Sequence, residues 1–427
     1  MDHFNRHNGA LWAEGVPLAQ LAQAVSTPTY VYSRATLERH FQVMDQALDG
    51  VEHLVCFAVK SCSNLAVLQV LAAQGSGFDI VSGGELARVL RAGGQAAKVV
   101  FSGVGKSDSE IAAALQAGIL CFNVESAQEL ERIGFLAGQL QIAAPISLRV
   151  NPDVDPKTHK YIATGLKTSK FGVSFAEAEA LYLQAAAHPH LSIVGIACHI
   201  GSQILQVAPF VEAVEKVLTL VERLRAAGIA LRHIDVGGGL GIAYRDETPA
   251  LPSELGQVIV GLARAHGLAL LVEPGRVIVG NAGVLLTRVV GTKRNEEKQF
   301  VIVDAGMNDL LRPALYDAYH HIELVESPKG RGKAVVDVVG PVCETGDFLA
   351  LDRKLPELER GDLLAVKGAG AYGFAMASNY NSRPRPAEVL VSGGRYQVVR
   401  QRESLEDLWR GESTAELDPS DWPPTAP

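Results

Sequence analysis

The stretch IVGIACHIGSQILQVAPFVEAVEKVLTLVERLRAAGIALRHIDVGGGLG, residues 193–241, decides the fold. It opens on one apolar run, IVGIAC (193–198), and ends on another, RHIDV (232–236). Between them Phe210, Val214, Val217, Val221 and Leu224 recur at helical spacing and form one apolar stripe, and Gly228 can supply a left-handed end to that helix. Outward from this strand–helix–strand unit the same alternation repeats. Further strand-like runs are HLVCFAV (53–59), GFDIV (77–81), KVVFS (98–102), ILCFNV (119–124), ISLRV (146–150) and LALLV (268–272). Eight nearly continuous apolar strands with helices between them imply a parallel sheet covered by helices, and eight is the number that closes as a (β/α)8 TIM-like barrel. An open doubly wound sheet is the alternative.

Local signals agree with this reading. ATLERHFQVMDQAL (35–48) predicts a helix ahead of the first strand, and Ser126 with Glu129 and Ser174 with Glu177 have the spacing of capping boxes. After residue 280 the texture changes to VLLTRVVGTK, QFVIVDAG, KAVVDVVG, DLLAVKGA and EVLVSGGRYQVV, separated by Gly, Pro and Asp turns. The expected α/β organisation is therefore a barrel over 35–280 and a C-terminal, mainly antiparallel β domain made of 1–34 and 281–410. An acidic, proline-rich tail, 411–427, would be loose.

Composition narrows the function classes. With 427 residues, two domains fit, and 48% hydrophobic against 20% charged residues excludes a largely disordered chain. Lys plus Arg number 39 against 47 for Asp plus Glu, a net charge of −8 with no dense basic tract, so nucleic acid is not an expected partner. No apolar run reaches the ~20 residues of a membrane helix and the opening MDHFNRHNGALWAEG lacks the order of a secretory signal, so the expected location is cytoplasmic, away from membranes. Five cysteines without a CxxC pair argue against structural zinc or a disulfide framework, and no metal is expected. Cys56, Cys121 and Cys198 lie in apolar runs, whereas Cys343 sits in the polar turn PVCETGD.

In such barrels the active site lies where strands end and loops begin. Lys60 ends the first strand, SGGE follows the second, Asn151 and Pro152 the fifth, HIGSQ the sixth, GGGLG the seventh and EPGR the eighth. A glycine run is commonly only a flexible turn, but after strand seven and beside Arg276 it matches a barrel phosphate site. Lys60 at the end of an apolar strand is expected to be desolvated and available as a neutral amine for a Schiff base, the bland alternative being a solvated lysine. A phosphate site plus such a lysine is what pyridoxal 5'-phosphate requires, with Glu273 against its pyridine nitrogen. His199 could pack on the ring or be a satisfied core histidine. Asp79 and Arg149, charges inside apolar runs, point to cofactor support or to buried pairs.

FAVKSCSN, FDIVSGGEL, LRVNPDVDP, HKYIATGLKTSKFGV, HIGSQI, DVGGGLGI, VEPGR, DAGMNDLLRPALYDAYH, GPVCETGDFL and GAGAYGFAMASNYN together resemble the fold-type III pyridoxal-phosphate decarboxylases, across roughly residues 30 to 395. The resemblance is strongest to the branch acting on diaminopimelate, and Thr345, Thr168 and Ser169 vary around its pattern. It implies an alanine-racemase-like barrel with Lys60 as the Schiff-base lysine. It places Ser202, Gly237, Gly238, Gly239, Pro274, Gly275 and Arg276 around the cofactor, Glu273 at the pyridine nitrogen, His199 on the ring and Tyr372 in reach. It further implies a homodimer whose sites lie at the interface, with Cys343 and Glu344 supplied by the second copy and Cys343 as proton donor. A thiol of ordinary pKa, about 8.5, holds a proton at neutral pH and can release it.

The substrate of that branch carries an amino-acid group at each end, so the site must answer a distal carboxylate and a distal ammonium. Arg276 and Arg312 can bind the carboxylate, Tyr316 adds a hydroxyl, Tyr372 lies alongside and Glu344 complements the ammonium. The expected reaction is decarboxylation of meso-2,6-diaminopimelate to L-lysine, the last step of lysine biosynthesis. A related decarboxylase acting on another amino acid, and an inactive regulatory relative, are the alternatives.

Overall fold

The computed structural model describes residues 2–155, 170–327 and 330–415. Thr168, Ser169, most of HKYIATGLKTSKFGV and most of the expected tail lie outside the described residues.

All eight expected strands form. His53–Ala58, Gly77–Ile80, Val99–Phe101, Cys121–Val124, Ala144–Arg149, Leu191–Ala197, His233–Asp235 and Ala269–Val272 each pair in parallel with the next. The last returns to the first, with Leu270, Leu271 and Val272 opposite His53, Leu54 and Val55, so the sheet closes as a barrel and the open alternative is excluded.

Closure gives each strand two buried faces. Phe57, Phe78, Phe101 and Phe122 are fully buried in the main core under the helices, with the rings of Phe101 and Phe122 stacked. Their chain neighbours Cys56, Val100 and Cys121 belong to a separate cluster with Val194 and Leu271, which is the barrel interior, since adjacent strand residues face opposite ways. Two residues further along, on that same inner face, come Ala58, Ser102, Asn123 and Glu273. An apolar plug thus gives way to a polar floor at the C-terminal mouth.

The helices follow their signals. Ala208–Ala226 buries Phe210, Val214, Val217, Val221 and Leu224, and Gly228 follows it at φ +83°, with the Ile229 N–H returning to Leu224 O at 2.9 Å. Ser174 and Glu177 form a complete capping box ahead of Phe175–Ala187. Only half of the second expected box forms: Ser126 accepts from the Glu129 N–H, but the Glu129 carboxylate turns to Lys106 (2.6 Å) and to the Glu125 N–H (3.0 Å). A buried ammonium is a stronger partner than a helix N-cap amide.

The second sheet runs in the order Phe348–Pro356, Lys333–Val339, Gln299–Val303, Gly283–Arg294, Thr29–Ser33, Ala387–Ser392 and Arg395–Arg400, with Leu363–Val366 and Ile322–Leu324 alongside. It is mostly antiparallel, as expected, but two pairings are parallel: Phe300–Ile302 with Asp337–Val339, and Ala387–Val391 with Thr29–Ser33. The N-terminal strand Thr29–Ser33 is slotted between partners more than 250 positions away in sequence. Its side chains are all buried, and Val31 joins Phe4, Leu11, Leu18, Leu21 and Val284 in a second core. Among the described residues, no helix is long and apolar enough to cross a membrane.

Candidate active site

Lys60 leaves the first barrel strand in a single helical turn, Val59–Ser61, and its Nζ lies 2.7 Å from Asp79 Oδ2 on the second strand. Asp79 is fully buried. The expected neutral amine is not what forms. Desolvation does act to lower the Lys60 pKa, but the Asp79 and Glu273 carboxylates outweigh it and raise it above the ordinary lysine value. An amine ion-paired at hydrogen-bond distance is held as ammonium, and Asp79 fixes where that ammonium lies.

Below Lys60 lies a set of buried acids. Glu273 Oε1 is 3.3 Å from both Ser102 Oγ and Asn123 Nδ2, and Asn123 Nδ2 is 3.3 Å from Asp235 Oδ2. Burial, then the neighbouring Asp235 and Asp79 carboxylates, push the Glu273 carboxyl well above the usual range. This floor favours a cation or a protonated ring nitrogen above it. Asp79 Oδ1 and Asn123 Oδ1 are buried without a hydrogen-bond partner. Arg149, by contrast, is spent on a buried pair with Glu125 (2.9 Å), which also accepts from the Gly103 and Gly172 N–H groups.

The glycine run is wedged between two backbone segments. A Cβ on Gly238 would lie 2.0 Å from the Glu273 carbonyl oxygen, and one on Gly239 would lie 2.3 Å from that of Gly201. Gly237 and Gly239 are left-handed, at φ +69° and +118°. The Gly238 N–H donates to His199 Nδ1 (3.1 Å), which leaves the ring proton on Nε2, and burial pushes the His199 pKa well below its ordinary value. The imidazole is therefore neutral and its plane is set by the glycine run. Pro274 and Gly275 are tied to the Lys60 strand by the Ala58 N–H to Pro274 O bond (3.0 Å), and Tyr372, at φ +55°, is tied to it by its own N–H to Ser61 O (2.8 Å).

Arg276 donates to Ser202 Oγ (3.0 Å) and to the Tyr244 hydroxyl (2.6 Å), with its guanidinium 4.9 Å from the Tyr372 ring centre. Arg312 opens the short helix Arg312–Tyr316 and packs 4.6 Å from the Tyr244 ring centre, so Tyr244 stands beside both guanidinium groups. Tyr316 and Tyr372 are close enough to both to act on their charge. Arg276 and Arg312 are buried, and among the described residues no carboxylate pairs with either. Burial, and Arg276 itself, disfavour the Arg312 cation. Two uncompensated buried guanidiniums side by side form an anion site.

Cys343 and Glu344 stand outside this group. Both are exposed, the Cys343 N–H donating to Asn381 Oδ1 (2.7 Å) and Glu344 accepting from the Tyr380 hydroxyl (3.2 Å). Sequence reasoning missed Asp235, Tyr244 and His320. Asp235 carried the same signal as Asp79, a charge within an apolar run. Tyr244 and His320 carried none, since loop residues are placed only by tertiary packing.

The pyridoxal binding domain of the pyridoxal-dependent decarboxylases matches residues 34–280. The diaminopimelate decarboxylases of Vibrio cholerae and Pseudomonas aeruginosa are each 56% identical to this chain, covering 97% of it and 99% of their own length. The crystal structure of diaminopimelate decarboxylase from Helicobacter pylori complexed with L-lysine superposes with a TM-score of 0.89 at 46% identity, covering 92% of this chain and 98% of that one. The chain belongs to the pyridoxal-dependent decarboxylase family and, within it, to the diaminopimelate decarboxylases.

Proposed function

We propose that this chain uses pyridoxal 5'-phosphate to decarboxylate meso-2,6-diaminopimelate, yielding L-lysine and carbon dioxide as the final step of lysine biosynthesis. The observation that carries the reading is the pair Arg276 and Arg312, buried at the mouth that holds the Lys60 amine and lacking a carboxylate among the described residues. A decarboxylase of ornithine has no distal carboxylate to place there. A substrate with an amino-acid group at each end does.

The residues present fit the cofactor. Lys60 offers the amine, the Gly239 N–H with Ser202 and Arg276 offers donors for the phosphate while the Gly237 and Gly238 N–H groups are held by Asp235 and His199, and the Glu273 floor favours a protonated pyridine. When bound, pyridoxal phosphate supplies the electron sink into which the carbon–carbon bonding pair passes as carbon dioxide leaves. Asp79 holds and orients the Lys60 amine. His199, neutral and oriented by Gly238, offers an apolar ring face. Arg276 and Arg312 hold the distal carboxylate and, with Tyr316 and Tyr372, orient the substrate by the end that does not react.

In this reading the enzyme works as a cytoplasmic homodimer. The exposed turn that carries Cys343 and Glu344 is then supplied to each site by the partner subunit, Glu344 answering the distal ammonium and Cys343 returning a proton to the reacting carbon. Purified protein with pyridoxal phosphate is expected to release carbon dioxide and lysine in equal amounts from meso-diaminopimelate and not from ornithine, arginine or D-lysine. Release from one of those instead would overturn the assignment of Arg276 and Arg312.

A further inference from the structure

His320 is fully buried, and both ring nitrogens are engaged. Nδ1 lies 2.9 Å from Lys367 O and Nε2 lies 2.8 Å from Arg312 Nη1. A carbonyl oxygen can only accept and a guanidinium can only donate. The hydrogen bonds therefore fix one tautomer, with the proton on Nδ1 and the lone pair of Nε2 facing Arg312. The ring is held edge-on by Tyr244, with centroids 5.4 Å apart, and the His320 carbonyl accepts from Arg353 Nη1 at 2.8 Å. Burial, and after it the nearby Arg312 charge, push the His320 pKa down to about 3, so the ring is neutral throughout the physiological range.

We propose that His320 is a positioning residue for the substrate's distal carboxylate: a neutral acceptor that aims the Arg312 guanidinium without cancelling its charge. The inference rests on the proposed function and deepens it. A carboxylate at this place would orient Arg312 equally well, but it would form an internal ion pair and compete with the substrate for the same nitrogens. An apolar residue would leave Arg312 charged but unaimed, and its Nε already lacks a partner. A buried neutral histidine satisfies one Nη nitrogen and leaves the rest of the fork for an anion. The two guanidiniums, both packed on Tyr244, are thereby kept as a charged pair.

Two ligands of equal chain length separate this role from a merely structural one. L-lysine carries the distal carboxylate and 1,5-diaminopentane lacks it. In His320→Leu, inhibition by L-lysine is expected to weaken by about tenfold relative to inhibition by the diamine, the share of one charge-assisted hydrogen bond. His320→Gln, whose amide oxygen can accept from Arg312, is expected to restore the wild-type ratio. Equal weakening of both ligands in His320→Leu, or no weakening of either, overturns the proposal. If His320→Leu does not fold, the Gln variant decides: a folded His320→Gln enzyme that has lost the preference for lysine over the diamine refutes it. Turnover of diaminopimelate by the unaltered enzyme tests the underlying reading separately, because the preference is measurable by calorimetry without turnover.

Discussion

Gly238→Ala adds one methyl group, and the structure says what that methyl meets. Its Cβ would lie 2.0 Å from the carbonyl oxygen of Glu273, where real Cβ atoms stay beyond 3.0 Å. The obstacle is backbone, so no side-chain rotation relieves it. The backbone of Gly238 is not left-handed, so the effect is steric contact and not conformational strain. The glycine run and the Glu273–Pro274 segment must part by about 1 Å, and a misplacement of that size at reacting groups costs on the order of 100-fold in rate. Both sides of the wedge matter: one carries the His199 contact and the expected phosphate donors, the other the carboxyl under the ring. We expect Gly238→Ala to lose pyridoxal phosphate affinity and kcat by about two orders of magnitude together, with about 1–3 kcal/mol of stability, the usual range for overpacking. Gly261→Ala, in the helix Pro252–Ala265, is the control, because nothing lies within 4 Å of its added methyl. It should leave cofactor binding untouched and raise stability by up to about 1 kcal/mol. Cofactor titration by absorbance, single-turnover kinetics and urea unfolding read all three quantities. Wild-type cofactor affinity and rate in Gly238→Ala would refute the wedge.

Other substitutions separate the remaining roles. Arg312→Lys keeps a charge but loses the planar fork and its contact to His320, so KM for diaminopimelate should rise by about 10- to 100-fold while kcat changes less, as steady-state kinetics would report. Cys343→Ala should bind pyridoxal phosphate normally and lose turnover, whereas Lys60→Ala should lose the absorbance of the cofactor–lysine linkage; unchanged turnover in Cys343→Ala rejects the proton-donor role. His233, whose pKa burial lowers to about 4, stays neutral in the fold while its unfolded counterpart titrates near 6.5. Between those values the unfolded chain binds the extra proton, so stability falls as pH drops from about 6.5 to about 4. Urea unfolding of His233→Gln should show a shallower acid slope than wild type, and parallel slopes would reject the linkage.

The barrel was legible in the sequence because its signals are local. Nearly continuous apolar runs, buried on both faces, and helical stripes between them mark the eight strands, and closure then sets the inner-face step from Cys56, Val100 and Cys121 to Ala58, Ser102 and Asn123. The loop motifs carrying Lys60, His199, Gly238 and Glu273 fall at strand ends for the same reason. Less legible was anything that depends on partners distant in the chain. The strand Thr29–Ser33 draws its neighbours from residues 283–286 and 387–391, and Phe348–Pro356 hides its pairing behind exposed charges. The charge state of Lys60 was misjudged because desolvation can be guessed from one strand, while the countering carboxylate of Asp79 belongs to another. The grouping of Arg276, Arg312, Tyr244 and His320 joins loops from both sheets. Sequence by itself determined where the strands, the helices and the loop motifs between them fall, since that follows from local periodicity. Only the tertiary structure decided which charges meet, because electrostatic partnership depends on distances of a few ångströms that chain order does not encode.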